Sequence, residues 1–231
     1  MKAKPKKMPV KHKVTKKQVR PQSASANPAN DKYYTPMQIR QMSFRSLQFD
    51  GMWEELFGNP DPNFSMMVYA KPKMGKSTIM IDFANYLATY FGNVLYIAIE
   101  ETIRKTLQEK INRLGVDAPR LEFTGTIPAT IPAKYDFVFY DSANAARLDY
   151  ASIVKFIDKY PGKGFVFVFQ STKGGQFRGT QDIEHEVGIV CYIDEHGIAK
   201  IKGRYAPPCT FNVAKEYNLV ITTPTKGRKE I

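Results

Sequence analysis

Val68-Tyr69-Ala70-Lys71-Pro72-Lys73-Met74-Gly75-Lys76-Ser77-Thr78 is the stretch whose reading decides the fold. The apolar run 66–70 leads into a tight loop that ends in Gly-Lys-Ser-Thr. An amphipathic segment follows, with Ile79, Ile81, Phe83, Ala84, Leu87, Ala88 and Phe91. Strand, loop and helix in this order turn backbone N–H groups and a helix N-terminus toward an anion. The spacing matches the phosphate loop G-x-x-x-x-G-K-[ST]. Within it, Lys76 would reach the β- and γ-phosphates of a nucleoside triphosphate and the Ser77 hydroxyl would ligate Mg²⁺. The nucleotide-contacting set is thus Ala70, Lys71, Pro72, Lys73, Met74, Gly75, Lys76, Ser77 and Thr78. Ala70 stands where the first glycine of the pattern belongs. Alanine restricts positive φ, so Ala70 is the expected weak point of the loop, and poor hydrolysis is the alternative it leaves open.

Composition frames this site. A chain of 231 residues, 43% hydrophobic, can bury one sizeable α/β core and still carry tails. The formal net charge is +12, and residues 1–30 hold nine Lys/Arg with no Asp/Glu, so the rest of the chain is nearly balanced. Residues 1–34 read as a disordered basic arm, residues 35–222 as the folded domain and 223–231 as a basic tail. The arm is either a solubilising tail or a counterion-releasing arm that holds nucleic acid without reading its sequence. Two cysteines, Cys191 and Cys209, are too few for a disulfide framework or a zinc knuckle. No apolar run approaches the roughly 20 residues that cross a bilayer, and the N-terminus lacks the apolar core of a signal peptide. The expectation is a cytoplasmic protein.

Thr35 and Pro36 have the N-cap and N1 signature of a helix, and 49–57 is a short apolar element with Trp53 as core packing. Runs 93–99, 135–141 and 164–170 are almost wholly apolar, as strands buried on both faces are. Segments 102–114 and 150–160 carry helical periodicity. Residues 171–182 read as a Gly-rich polar loop, 188–194 and 198–202 as a hairpin turning at Glu195-His196-Gly197, and 218–222 as a late strand. Alternating apolar strands and amphipathic helices predict a largely parallel twisted sheet flanked by helices, closed by a C-terminal antiparallel hairpin.

Ligands of such sheets bind beyond the carboxyl ends of the strands, where Glu100, Asp141 and Gln170 are expected beside the loop. Asp141 would share the Mg²⁺ shell with Ser77. Glu100 is the candidate general base, with Glu101 as its rival by adjacency. Gln170 would sense the γ-phosphate and pass its presence to 171–182.

On these segments the chain resembles the RecA-type P-loop ATPase core, nearest the bacterial RadA branch, over roughly residues 50–215. Val94-Leu-Tyr-Ile-Ala-Ile-Glu-Glu101 resembles V-L-Y-V-S-G-E-E, whose first Glu is catalytic in that family. The strand ending in Asp141-Ser142 resembles the Walker B strand, and Phe169-Gln-Ser-Thr-Lys173 the sensor strand. Lys202-Gly-Arg-Tyr-Ala-Pro207 resembles K-N-R-F-G-P, and the resemblance implies that Lys202 and Arg204 act in trans on a neighbouring subunit's nucleotide or couple ATP to DNA. It also implies ATP and Mg²⁺ as ligands, a hexameric ring or filament, and single-stranded DNA on the loop through Lys173, Phe177 and Arg178. Recombination, repair or replication would then be the setting. The RadA zinc module and protease-like domain have no counterpart in the sequence, and the Pro-Lys of the loop is similar to RepA-like hexameric ATPases. A KaiC-like oligomeric switch with a protein partner is the competing class.

Overall fold

The computed structural model describes residues 33–171 and 180–221. The described residues from Phe44 onward form one compact unit, and 33–43 belong to another. In the latter, α1 (Pro36–Gln41) is closed by the expected capping box. The Thr35 side chain accepts from the Gln38 N–H, and the Gln38 side chain accepts from the Thr35 N–H. Its apolar residues Met37 and Ile39 are exposed rather than buried on one face.

The larger unit is built on eight strands: β1 (Ser65–Ala70), β2 (Val94–Ala98), β3 (Leu121–Thr124), β4 (Phe137–Asp141), β5 (Gly164–Gln170), β6 (Ile189–Ile193), β7 (Ile198–Gly203) and β8 (Cys209–Asn212). They form one sheet in the order β3-β2-β4-β5-β1-β6-β7-β8. Every pairing from β3 to β6 is parallel, whereas β7 runs antiparallel to both β6 and β8. The parallel sheet and the terminal hairpin are those expected. Two short strands, β3 and β8, add pairings that the sequence reading does not anticipate.

The pleat sorts each strand between two cores. Met66, Val68 and Ala70 of β1, with Phe137 and Phe139 of β4, face α3 (Lys76–Tyr90), whose Ile79, Phe83 and Leu87 are fully buried. Met67 of β1, with Val138 and Tyr140 of β4 and Phe165 and Phe167 of β5, faces the other way onto Ile153 of α5 (Tyr150–Lys159). Burial on both faces is why these strands read as unbroken apolar runs.

The helix α2 (Gly51–Phe57) is pinned to α3 by Trp53, whose ring centroid lies 4.8 Å from that of Phe83. It ends at Gly58 (φ 66°), where a Cβ would stand 2.2 Å from the Tyr205 carbonyl oxygen. The helix expected over 102–114 is α4 (Lys105–Leu114). Ile103 falls before it and is exposed, and only Leu107 of its apolar face is fully buried.

Two expectations are corrected. The polar segment 171–182 is helical at its end, where α6 (Thr180–Glu186) begins. The late strand expected over 218–222 is no strand at 218–221. Instead α7 (Val213–Glu216) is followed by a turn at Asn218, whose φ of 49° breaks an extended run.

Candidate nucleotide site

Register brings the expected strand ends together. Ala70 lies opposite Gln170 and Ile193, and Ala98 lies opposite Asp141. A cavity of about 380 Å³ opens beyond them, lined by Pro72, Lys73, Gly75, Lys76, Ser77 and Thr78 of the loop and by Glu100, Glu101, Lys110, Gln170 and Leu219. The volume is within the range of small-molecule sites.

The loop's conformation corrects the expectation about Ala70. That residue is the last of β1, fully buried and paired in the sheet, so its methyl sits in ordinary extended backbone. The left-handed positions are Lys73 (φ 65°) and Gly75 (φ 89°). Lysine at such a φ costs on the order of 1 kcal/mol, so the strain in this loop falls on Lys73. Lys71 is held away from the cavity floor by Glu195 of the β6–β7 turn, at 3.0 Å. Met74 packs into the core beneath.

The Lys76 ammonium curls back over its own loop, donating to the Ala70 carbonyl at 3.2 Å and the Lys71 carbonyl at 3.0 Å. Burial pulls its pKa below the ordinary range, and the charges of Asp141 and Glu100 act in the opposite sense. An ammonium has three donors, which leaves one for an anion in the cavity.

Asp141 is 7% exposed. Burial lifts its carboxyl above the usual range, against hydrogen bonds from Tyr96 and Ser77 and the charges of Lys110 and Lys76. The Tyr96 hydroxyl donates to its Oδ2 at 2.7 Å. A desolvated carboxylate facing a serine hydroxyl is a hard oxygen pair that a divalent cation would satisfy. Among the described residues no group of three or more His, Cys, Asp or Glu could hold a metal. As oxygen donors, Ser77 and Asp141 would suit Mg²⁺, which commonly keeps phosphate and water among its ligands.

The two adjacent glutamates are separated by their partners. Gln170 Nε2 donates to Glu100 Oε1, whereas Glu101 is taken by Lys110 of α4 at 2.6 Å. The Gln170 backbone is itself fixed, its N–H donating to Asn144 Oδ1 at 2.6 Å. Thr78 accepts from Arg113 of α4 at 3.4 Å. Sequence reasoning does not single out Lys110, Arg113, Tyr96, Asn144 or Leu219. Lys110 and Arg113 read as solvated charges on an amphipathic helix, and nothing local marks Leu219.

Lys202 and Arg204 are not brought to this cavity. Lys202 lies opposite Val190, which pairs with Met67, three positions back from the loop end of β1. That is roughly 10 Å along the strand. Its ammonium pairs with Glu184 at 2.7 Å, and Arg204 donates to the His185 carbonyl at 3.3 Å. Lys173, Phe177 and Arg178 lie outside the described residues. No helix among the described residues is long and apolar enough to cross a membrane.

No family model matches the chain. In sequence it is 25% identical over 175 residues to the DNA repair protein RadA of Brucella abortus, covering 62% of this chain and 37% of that protein. The chain thus matches little more than a third of that relative's length. Solved structures that share the fold include the following. The flagellar accessory protein FlaH of Methanocaldococcus jannaschii has a TM-score of 0.55 at 13% identity, over 74% of this chain and 95% of its own. A KaiC-like protein of Pyrococcus horikoshii has 0.54 at 13% identity, over 71% and 90%. The third, an ATPase domain solved on its own, has 0.53 at 12% identity, over 74% and 88%. Sheet order, loop geometry and these likenesses agree: the chain has a RecA-like P-loop fold and is similar in sequence to part of RadA.

Proposed function

We propose that the chain is a Mg²⁺-dependent ATPase whose turnover is coupled to single-stranded DNA. The observation that carries this reading is the contact between Gln170 and Glu100 across the phosphate-loop cavity. It ties the candidate base to the strand that leads into the segment bearing Lys173, Phe177 and Arg178. Lys76 would give up a loop carbonyl to hold the β- and γ-phosphates. Ser77 and Asp141 would hold Mg²⁺, which neutralises phosphate charge when bound. Glu100 would then accept a proton from water as the water oxygen attacks the γ-phosphorus and the bond to the ADP oxygen breaks. Gln170 has two amide hydrogens, so it can keep one on Glu100 and donate the other to a γ-phosphate, and its amide would link occupancy of the site to the position of the base.

The DNA part of the reading is supported by the name of the RadA relative and by the chemistry of the loop. Lys173 and Arg178 would neutralise phosphates and Phe177 would stack on a base. Lys202 and Arg204, remote from their own cavity, are offered to a neighbouring copy, which calls for a homo-oligomer in which they complete the next site. A second reading is an ATP-dependent assembly switch acting on a protein partner, favoured by the KaiC-like and FlaH fold likenesses. Steady-state ATP hydrolysis with Mg²⁺, with and without single-stranded DNA at two salt concentrations, separates them. The first reading expects stimulation that fades as salt rises. Hydrolysis indifferent to DNA at both salts would overturn the coupling and favour the switch.

A further inference from the structure

The segment 213–221, which includes most of the late strand expected over 218–222, is instead a strap across the phosphate loop. It is anchored at several points. Asn212 caps α7 by accepting from the Lys215 N–H, the Leu219 N–H donates to the Ala214 carbonyl at 2.8 Å, and the Tyr217 hydroxyl donates to Asp82 of α3 at 2.7 Å. The β6–β7 turn backs it, since a Cβ on Gly197 would stand 2.7 Å from that of Ala214. Over the loop itself, a Cβ on Gly75 would stand 2.6 Å from Leu219 Cδ1 and 2.9 Å from Val213 Cγ1.

This strap gives the cavity two chemically different ends. Glu100 and Glu101 follow β2 and Lys110 reaches in from α4, so charge is gathered on the β2 side of β1. Leu219 lies in the strap backed by the β6–β7 turn, which is on the opposite side of β1 in the sheet, and among the described residues it is the one large aliphatic side chain lining the cavity. A nucleoside triphosphate has the same polarity, anionic at one end and largely apolar on the faces of its base at the other.

We propose that Leu219 is the wall against which the nucleoside packs, so that the C-terminal strap makes the site prefer a nucleotide to an inorganic polyphosphate. The inference rests on the reading of this cavity as a nucleotide site and names the residue that recognises the non-phosphate part. An aliphatic wall acts through contact area alone, so its loss should be felt only by ligands that carry a base and sugar.

The test is calorimetric titration of the full chain, in Mg²⁺, with ATP and separately with inorganic tripolyphosphate. The wild type should bind ATP more tightly than tripolyphosphate. Leu219→Ala should raise the Kd for ATP roughly three- to tenfold and leave tripolyphosphate within about twofold. Leu219→Met should restore ATP binding, because it returns the contact area. Equal affinity of the wild type for the two ligands would overturn the proposal whether or not the variant folds. So would a loss in Leu219→Ala shared equally by both ligands, or no loss at all. A wild type that binds neither ligand would instead overturn the nucleotide reading beneath it.

Discussion

Tyr217→Phe removes one oxygen from the strap and should cost stability in a pH-dependent way. The hydroxyl donates to Asp82 Oδ2 at 2.7 Å, a charge-assisted geometry. Such bonds contribute about 1.5–3 kcal/mol. Asp82 is only half-buried, and screening brings the expected loss to about 1–1.5 kcal/mol. In a domain of this size that is roughly 2–6 °C of melting temperature. Burial raises the Asp82 carboxyl above its ordinary value, and the Tyr217 bond opposes the rise. A raised carboxyl keeps in the native state a proton that the unfolded state has released, so its contribution to stability falls as pH climbs from the unfolded to the folded pKa. Without the hydroxyl the folded pKa rises further. The deficit of the variant is therefore smallest in acid, where Asp82 is protonated in both states, and reaches its full size above the folded pKa. Urea unfolding of wild type and Tyr217→Phe from below the ordinary aspartate pKa of about 4 up to neutral pH, read at constant m, measures it. The same substitution in an Asp82→Asn background should cost less and show no pH dependence. A deficit of equal size at every pH, or one that survives unchanged in Asp82→Asn, would refute the reasoning.

Four other outcomes are expected. Lys76→Ala should abolish nucleotide binding in fluorescence titrations, since it removes the loop's only buried cation; retained binding would count against the site. Glu100→Gln should bind ATP normally and lose turnover about 10²- to 10⁴-fold in a phosphate-release assay, and full activity would sink its role as base. Gly58→Ala should destabilise by about 2–4 kcal/mol in urea unfolding, because its Cβ would meet a backbone carbonyl at a left-handed φ; a neutral change would contradict the geometry. If Lys202 and Arg204 act in trans, ATPase rate per subunit should climb with protein concentration and plateau as subunits assemble. A rate independent of concentration would remove that role.

What is legible in the sequence follows from how much of each element's environment is local. The strand β5 can be bounded to the residue because Phe165, Phe167 and Phe169 face one core while Val166 and Val168 face the other, which leaves no polar interruption until Gln170. The polar strand ends stand out against such runs, so Glu100, Asp141 and Gln170 can be named without knowing their cavity. The short strands β3 and β8 escape because each has four residues and none of them is fully buried; an outermost strand is specified by its neighbour's unpaired edge more than by its own side chains. Ala70 reads as a weak point because the motif puts a glycine there. Whether a residue needs positive φ depends on where the strand ends, however, and β1 continues through Ala70 and leaves the left-handed turns to Lys73 and Gly75. Residues 218–221 mislead in the opposite direction. Leu219, Val220 and Ile221 have the β propensity of a strand, yet Leu219 and Ile221 pack against the core around α3 while Val220 is 88% exposed. A side chain that closes a pocket from 144 residues away in sequence from the glycine it covers has no local pattern to announce it. Only the order of strands in the sheet, which carries the chain from β8 back over β1, puts Leu219 at the phosphate loop.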